Sequence, residues 1–157
     1  MKLRQADERD LPGIMRLEAE CFGPERFNVG IVKAFLGRED AFIVVAEADA
    51  ELVGSGMCVF STGSAEGRIA SIAVLPGHRR KGLGERLLDE CERGMIARGI
   101  RVLALEVATD NGPATRLYLS KGYEIKGTIK DYYSKGRDAH FMVRTVPRKR
   151  KVRVRPS

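Results

Sequence analysis

One run restricts the fold of this chain more than any other: Ile69 to Leu88, IASIAVLPGHRRKGLGERLL. An apolar stretch suited to a buried strand ends at Leu75, and a helical rhythm begins at Leu83 and continues to Arg98. Between them stand three consecutive cations, Arg79, Arg80 and Lys81, with glycines at Gly82 and Gly84. A buried strand that passes so directly into an amphipathic helix belongs to a layered domain with helices packed on a sheet. The helix start exposes free N–H groups and the positive end of the macrodipole, which together favour an anion. Glycines there let a phosphate approach the backbone with no Cβ in the way. A basic, solvated helix start with no ligand has the same local signature.

Two common phosphate motifs do not fit. Gly77 and Gly82 have P-loop spacing, but Leu83 stands where the P-loop lysine belongs. A dinucleotide fingerprint needs a third glycine at Leu87, and it normally follows the first strand of its domain. A pyrophosphate held by other means is the remaining reading.

The rest of the chain reads as one domain. A strand at Leu3–Gln5 leads to a helix over DLPGIMRLEAECF, with Asp10 as its expected N-cap. A loop and short helix in GPERFNVGIVKAFLGRED come next, then a hairpin in AFIVVAEADAELVGSGMCVF that turns near Ala48–Ala50. The strand GRIASIAVL, the helix from Leu83, and the strand IRVLALEVA follow. A short helix, NGPATRLYLSKG, ends at Gly122, and YEIKGTIKDYY and DAHFMVRTV form a last pair of strands. This order predicts a mixed α/β sheet with helices on its faces, without repeats or an internal linker.

Composition agrees and removes several function classes. At 157 residues and 43% hydrophobic, the chain can bury a core of its own. No apolar stretch approaches the roughly 18 residues of a membrane span. The start, MKLRQADERD, lacks the apolar segment of a secretory signal, so a cytoplasmic protein without membrane association is expected. Cys21, Cys58 and Cys91 make no metal spacing, and His78 and His140 are isolated, so no metal is expected. The net charge of +7 is local. From Phe141 onward there are seven basic residues and no acid, and removing those seven from 28 leaves 21 Lys and Arg against 21 Asp and Glu. The domain is therefore expected over residues 1–146 and a basic tail over 147–157, either a solubiliser or a dock for a ribosomal or other acidic partner.

The segment IAVLPGHRRKGLGERLL resembles the acetyl-coenzyme A motif of the GNAT N-acetyltransferase superfamily, Arg-x-x-Gly-x-Gly after a strand ending Val-x-Pro. LEVATDNGPATRLYLSKGYEIKGTIKDYY continues the resemblance in the same order. The resemblance implies a mainly antiparallel central sheet with helices on both faces, acetyl-CoA as cosubstrate, and direct attack of an amine on the thioester. It also implies that Ile72, Ala73 and Val74 present their backbone to the pantetheine arm. Arg79, Arg80, Lys81, Gly82, Leu83, Gly84 and Glu85 would surround the pyrophosphate, and Asn111 would hydrogen-bond the cosubstrate.

Within the superfamily the pattern is similar to the RimI-type ribosomal-protein alanine N-acetyltransferases and related N-terminal acetyltransferases. That likeness gives Glu106 the role of general base through water and Tyr118 that of general acid toward sulfur, with Tyr132 and Tyr133 lining the peptide entrance. A strand-end glutamate can equally pair with an arginine, and either tyrosine position can be structural. The segment CFGPERFNVG departs from the pattern, with Glu25 where an aromatic is usual. Elementary acid–base chemistry favours an α-amine acceptor: with pKa values of about 8 and about 10.4, it is free near pH 7 roughly 200 times as often as a lysine. A small-molecule amine or a lysine is the second expectation, and a non-catalytic acyl-CoA-sensing or RNA-docking module the third.

Overall fold

The computed structural model describes residues 1–61 and 63–147. Seven strands form one sheet: β1 (Lys2–Gln5), β2 (Ala41–Ala48), β3 (Glu51–Phe60), β4 (Glu66–Val74), β5 (Val102–Ala108), β6 (Glu124–Ser134) and β7 (Arg137–Thr145). Their spatial order is β1-β2-β3-β4-β5-β7-β6, antiparallel throughout except for β4 beside β5. Helices α1 (Leu11–Phe22) and α2 (Val29–Gly37) cover one face, and α3 (Leu83–Ala97) with α4 (Gly112–Ser120) the other. The expected order of elements and the mixed sheet are both found. The bounds differ by one or two residues at most ends, and three short 3-10 turns are added. Among the described residues no helix is long and apolar enough to cross a membrane.

Each face has its own core. Leu83, Leu87, Leu88, Cys91 and Met95 form the buried stripe of α3 and meet Leu103, Leu105 and Val107 of β5. On the other face Ile14, Leu17 and Val32 pack on Ile43, Val45 and Met57. The close seat of α3 depends on the small residues of β3: a Cβ on Gly54 would stand 2.8 Å from Leu87 Cδ1. The hairpin β2–β3 turns through Asp49 and Ala50, both left-handed with φ of 50° and 63°, as a tight hairpin requires.

One capping expectation is corrected. Asp10 precedes α1, but its side chain makes no cap hydrogen bond to that helix. Asp7 caps the preceding short turn, and the Asp10 carboxylate turns back to accept from the Asp7 N–H and from both Nη atoms of Arg4 on β1. A bidentate guanidinium outcompetes a single N–H for one carboxylate.

The parallel junction shapes the site. Only Glu66, Gly67 and Arg68 of β4 pair with β5, opposite Val102, Leu103 and Ala104. Beyond them Ala70 is an extra residue in the β3–β4 ladder, where Cys58 faces Ile69 and Met57 faces Ser71. A bulge bends its strand, and past it β4 and β5 run on without further pairs. The sheet opens there as a wedge.

Candidate active site

The glycine-rich turn closes one side of the wedge. Arg79 Nε and Cys21 Sγ both donate to the Val74 carbonyl, at 2.9 and 3.4 Å, which folds the loop back onto the end of β4. Arg80 and Gly82 are left-handed, with φ of 63° and 79°. No side chain caps α3, and its ladder begins with the Arg86 N–H donating to the Gly82 carbonyl at 3.1 Å. The N–H groups of Leu83, Gly84 and Glu85 therefore have no partner within the helix. A Cβ on Gly84 would make only ordinary contacts, 3.9 Å to Leu117 and 4.0 Å to Val74. Protein packing does not demand glycine there, so the missing side chain leaves a cradle open to a ligand.

The residues expected around that cradle come together, though not all through their side chains. Arg80 and Lys81 are exposed, whereas the Leu83 side chain is buried in the core. The Glu85 carboxylate pairs with Lys121 Nζ at 2.9 Å, as does that of Asp89, which offsets negative charge beside an anion site. Ile72, Ala73 and Val74 lie beyond the last β4–β5 pair and have no ladder partner on that side. Asn111 accepts from the Ala114 N–H at 3.2 Å and so caps α4, leaving its NH2 group as the donor a ligand can meet.

Glu106 stands just past the point where the strands part. It faces Phe141 on β7, and its side chain is 10% exposed. Its carboxylate lies 2.8 Å from Arg68 Nη2, an ion pair that reaches diagonally across the end of the β4–β5 ladder. The same Nη2 donates to the Tyr132 hydroxyl. Tyr132 and Tyr133 reach this place because β6 bulges: Ile129 pairs with Ala139 and Ser134 with Arg137, so four residues oppose Asp138 alone. Asp131, at φ 54°, holds the bulge by donating its N–H to Asp138 Oδ1 and accepting from the Gly136 N–H.

Tyr118 approaches from the α4 side, its ring edge-on to Tyr123 at 5.9 Å. Burial is the main cause that raises its phenol above the ordinary value, with Tyr133 and Cys91 adding to it. The Tyr133 phenol is pushed up to about 12 by burial, reinforced by Tyr132, Glu106 and Glu25. Tyr133 therefore has both Tyr118 and Glu106 as electrostatic neighbours. Both phenols keep their protons across the physiological range.

Arg68, Arg137 and Glu18 were not among the residues expected around the site, whereas Glu25 stood out in the sequence only as a departure from the family pattern. Glu25 forms an ion pair with Arg137 of β7, which also lies 3.3 Å from Asp110 and 5.5 Å from the Tyr133 ring centroid. Glu18 of α1 is 1% exposed and accepts from the Phe27 N–H at 2.9 Å and the Ser71 hydroxyl at 3.2 Å. Burial raises its pKa. The local signals were available: an arginine in the apolar strand of Arg68, and a glutamate within the apolar stripe of α1. Among the described residues no three His, Cys, Asp or Glu side chains gather as a metal site.

A wedge opened by a β4 bulge, with an uncapped glycine-rich helix start at one side and a carboxylate and phenols at the other, defines a class. This chain belongs to the acetyltransferase (GNAT) family, whose model matches residues 11–123. It is similar to an N-alpha-acetyltransferase of Sulfurisphaera tokodaii, 30% identical over 152 residues and 90% of each chain. A putative ribosomal protein bS18-alanine N-acetyltransferase of Bacillus subtilis is 30% identical over 138 residues, 87% of this chain and 90% of the relative. The crystal structure of the ribosomal-protein-S18-alanine N-acetyltransferase from Escherichia coli superposes with a TM-score of 0.85, covering 98% of both chains at 22% identity, a likeness of fold. The chain is a GNAT N-acetyltransferase.

Proposed function

We propose that this enzyme transfers the acetyl group of acetyl-CoA to the N-terminal α-amine of a protein. The observation that carries the reading is Glu106, a largely buried carboxylate standing where β4 and β5 part, with Tyr132 and Tyr133 beside it. Similarity to relatives named for N-alpha and ribosomal-protein alanine acetylation supports the same acceptor class.

Acetyl-CoA would supply an activated thioester carbonyl. The open N–H groups of Leu83, Gly84 and Glu85, with Arg80 and Lys81, would take its pyrophosphate. The Asn111 NH2 and the unpaired edge of Ile72, Ala73 and Val74 would orient the remainder. Glu106 would draw the proton from the acceptor ammonium through a water and so free its lone pair. The Tyr118 hydroxyl, kept protonated by burial, would donate to the departing sulfur. Tyr132 and Tyr133 offer rigid faces and hydroxyls to the entering peptide.

The domain is assigned to residues 1–146 and the tail to 147–157. Residues 148–157 lie outside the described residues; their charge suits a ribosomal or other acidic partner in the cytoplasm. The test is a panel of short peptides that vary at their first two residues, each with a free or a blocked N-terminus. Acetylation that requires the free terminus is the expected result. Activity confined to N-blocked, lysine-containing peptides, or to small amines, would overturn the proposal.

A further inference from the structure

We propose that Arg68 is a positioning residue that offsets the charge of Glu106, so that an acceptor amine entering the site is not trapped as its ammonium ion. The inference rests on the reading of Glu106 given above. A carboxylate alone in a shielded cleft binds an ammonium well but also raises the pKa of that ammonium. It thereby favours the protonated form, which has no lone pair for attack. A fixed cation on the carboxylate removes most of that bias.

The geometry suits this role. Arg68 is the last β4 residue paired with β5, so its backbone is held by the ladder while its side chain reaches Glu106. The Arg68 side chain is 42% exposed against 10% for that of Glu106, so the cation is the more open partner of the pair. Other elements present different groups here. β6 brings the phenols of Tyr132 and Tyr133, and β7 brings Phe141 directly opposite. The turn after α1 brings Glu25, but that carboxylate is taken by Arg137, which also meets Asp110. α1 brings Glu18, occupied by the Phe27 N–H and the Ser71 hydroxyl. Among the described residues Arg68 is the one cation at ion-pair distance from Glu106.

The step balances simply: the acceptor R–NH3+ gives one proton to the water held by Glu106, which passes it on to solvent, and becomes R–NH2. Arg68 exchanges no proton and touches no reacting atom. Its charge lowers the pKa of the bound ammonium and so shifts this exchange with solvent toward the free amine.

The test is the single-turnover transfer rate from pH 6 to 9.5, at saturating acetyl-CoA and free-N-terminus peptide, for wild type, R68Q and R68K. In R68Q the rising limb should move up by about one pH unit, lowering the rate roughly tenfold at pH 7 and converging on wild type near pH 9.5. Half-saturation by peptide at pH 7 should fall, because the ammonium is held more tightly. R68K, which keeps the charge, should restore the limb. The thermal midpoint of R68Q should fall, since Glu106 loses its cation, while acetyl-CoA affinity should match wild type in both variants. An unshifted limb in R68Q, an equal shift in R68K, or a loss of acetyl-CoA affinity would overturn the proposal. E106Q separates the two ideas. If it transfers as fast as wild type at every pH, the role of Glu106 fails. If it is slow while the R68Q limb is unshifted, only the role of Arg68 fails.

Discussion

Arg137 meets Glu25 across 112 residues of sequence, tying the β6–β7 hairpin to the turn that follows α1. In the proposed function the pair spans the two sides of the peptide entrance, and the same guanidinium lies 5.5 Å from the Tyr133 ring centroid. Glu25→Gln should therefore raise the KM for peptide several-fold while leaving the KM for acetyl-CoA unchanged. Combining it with Arg137→Gln should add little, since each change breaks the same link. Steady-state kinetics with each substrate varied in turn measure both.

Tyr118→Phe should slow transfer by about 100-fold or more, the lower range for losing a positioned acid, with acetyl-CoA affinity nearly intact. The pH dependence has a definite sign. Burial raises the phenol pKa, so the acid form persists above pH 10, where an unperturbed tyrosine has half ionised. The wild-type rate should rise with pH to a plateau and show no fall up to pH 10. Affinity by calorimetry and rates by stopped flow separate the two effects. Equal loss of rate and affinity would mark Tyr118 as structural.

Gly84→Val should raise the KM for acetyl-CoA by about tenfold or more, a cost of roughly 1.4 kcal/mol or more in binding. The protein neighbours of a side chain there stand at 3.9 and 4.0 Å, so the thermal midpoint of Gly84→Ala should stay close to wild type. Calorimetric melting and donor titration of both variants check this. A fall in stability with unchanged donor affinity would show that the glycine serves packing.

How much of this was legible in the chain follows from how local each feature is. The change from apolar strand to helical rhythm around Pro76 lies in adjacent residues, so β4, the turn and α3 could be read directly. Glu106 and Tyr118 sit in one short segment, LEVATDNGPATRLY, and could be paired on that basis. Arg68 with Glu106, and Glu25 with Arg137, come together only through strand register, which a single sequence does not encode locally. Asp10 departs from its expected capping role for a related reason. Its strongest partner, Arg4, belongs to the preceding strand and not to the helix that follows. Tyr132 and Tyr133 were legible as residues, but the four-residue bulge that turns them toward Glu106 depends on Asp131 and Asp138 meeting across the hairpin.

A second long-range network has consequences for stability. The Glu92 carboxylate, 6% exposed on α3, accepts from the Tyr123 hydroxyl and from Arg144 Nη1, both at 2.8 Å. Arg144→Met would leave that buried charge without its cation, and should destabilise the fold by about 3 kcal/mol. Tyr123→Phe removes one charge-assisted hydrogen bond and should cost about 1.5–3 kcal/mol. Urea unfolding of the two variants and their double gives the coupling. Arg144→Met melting like wild type would remove the network from the list of what holds α3 to β7.

The three rungs between β4 and β5 make the sheet two panels hinged at one edge, β1–β4 and β5–β7, braced from a single side by α3. A body seated in the wedge would act as the strut that the backbone omits. Amide exchange along the free edges of Ile72–Val74 and Leu105–Ala108 is then the natural gauge of occupancy, slowing where a visitor completes the ladder while the inner strands stay unmoved.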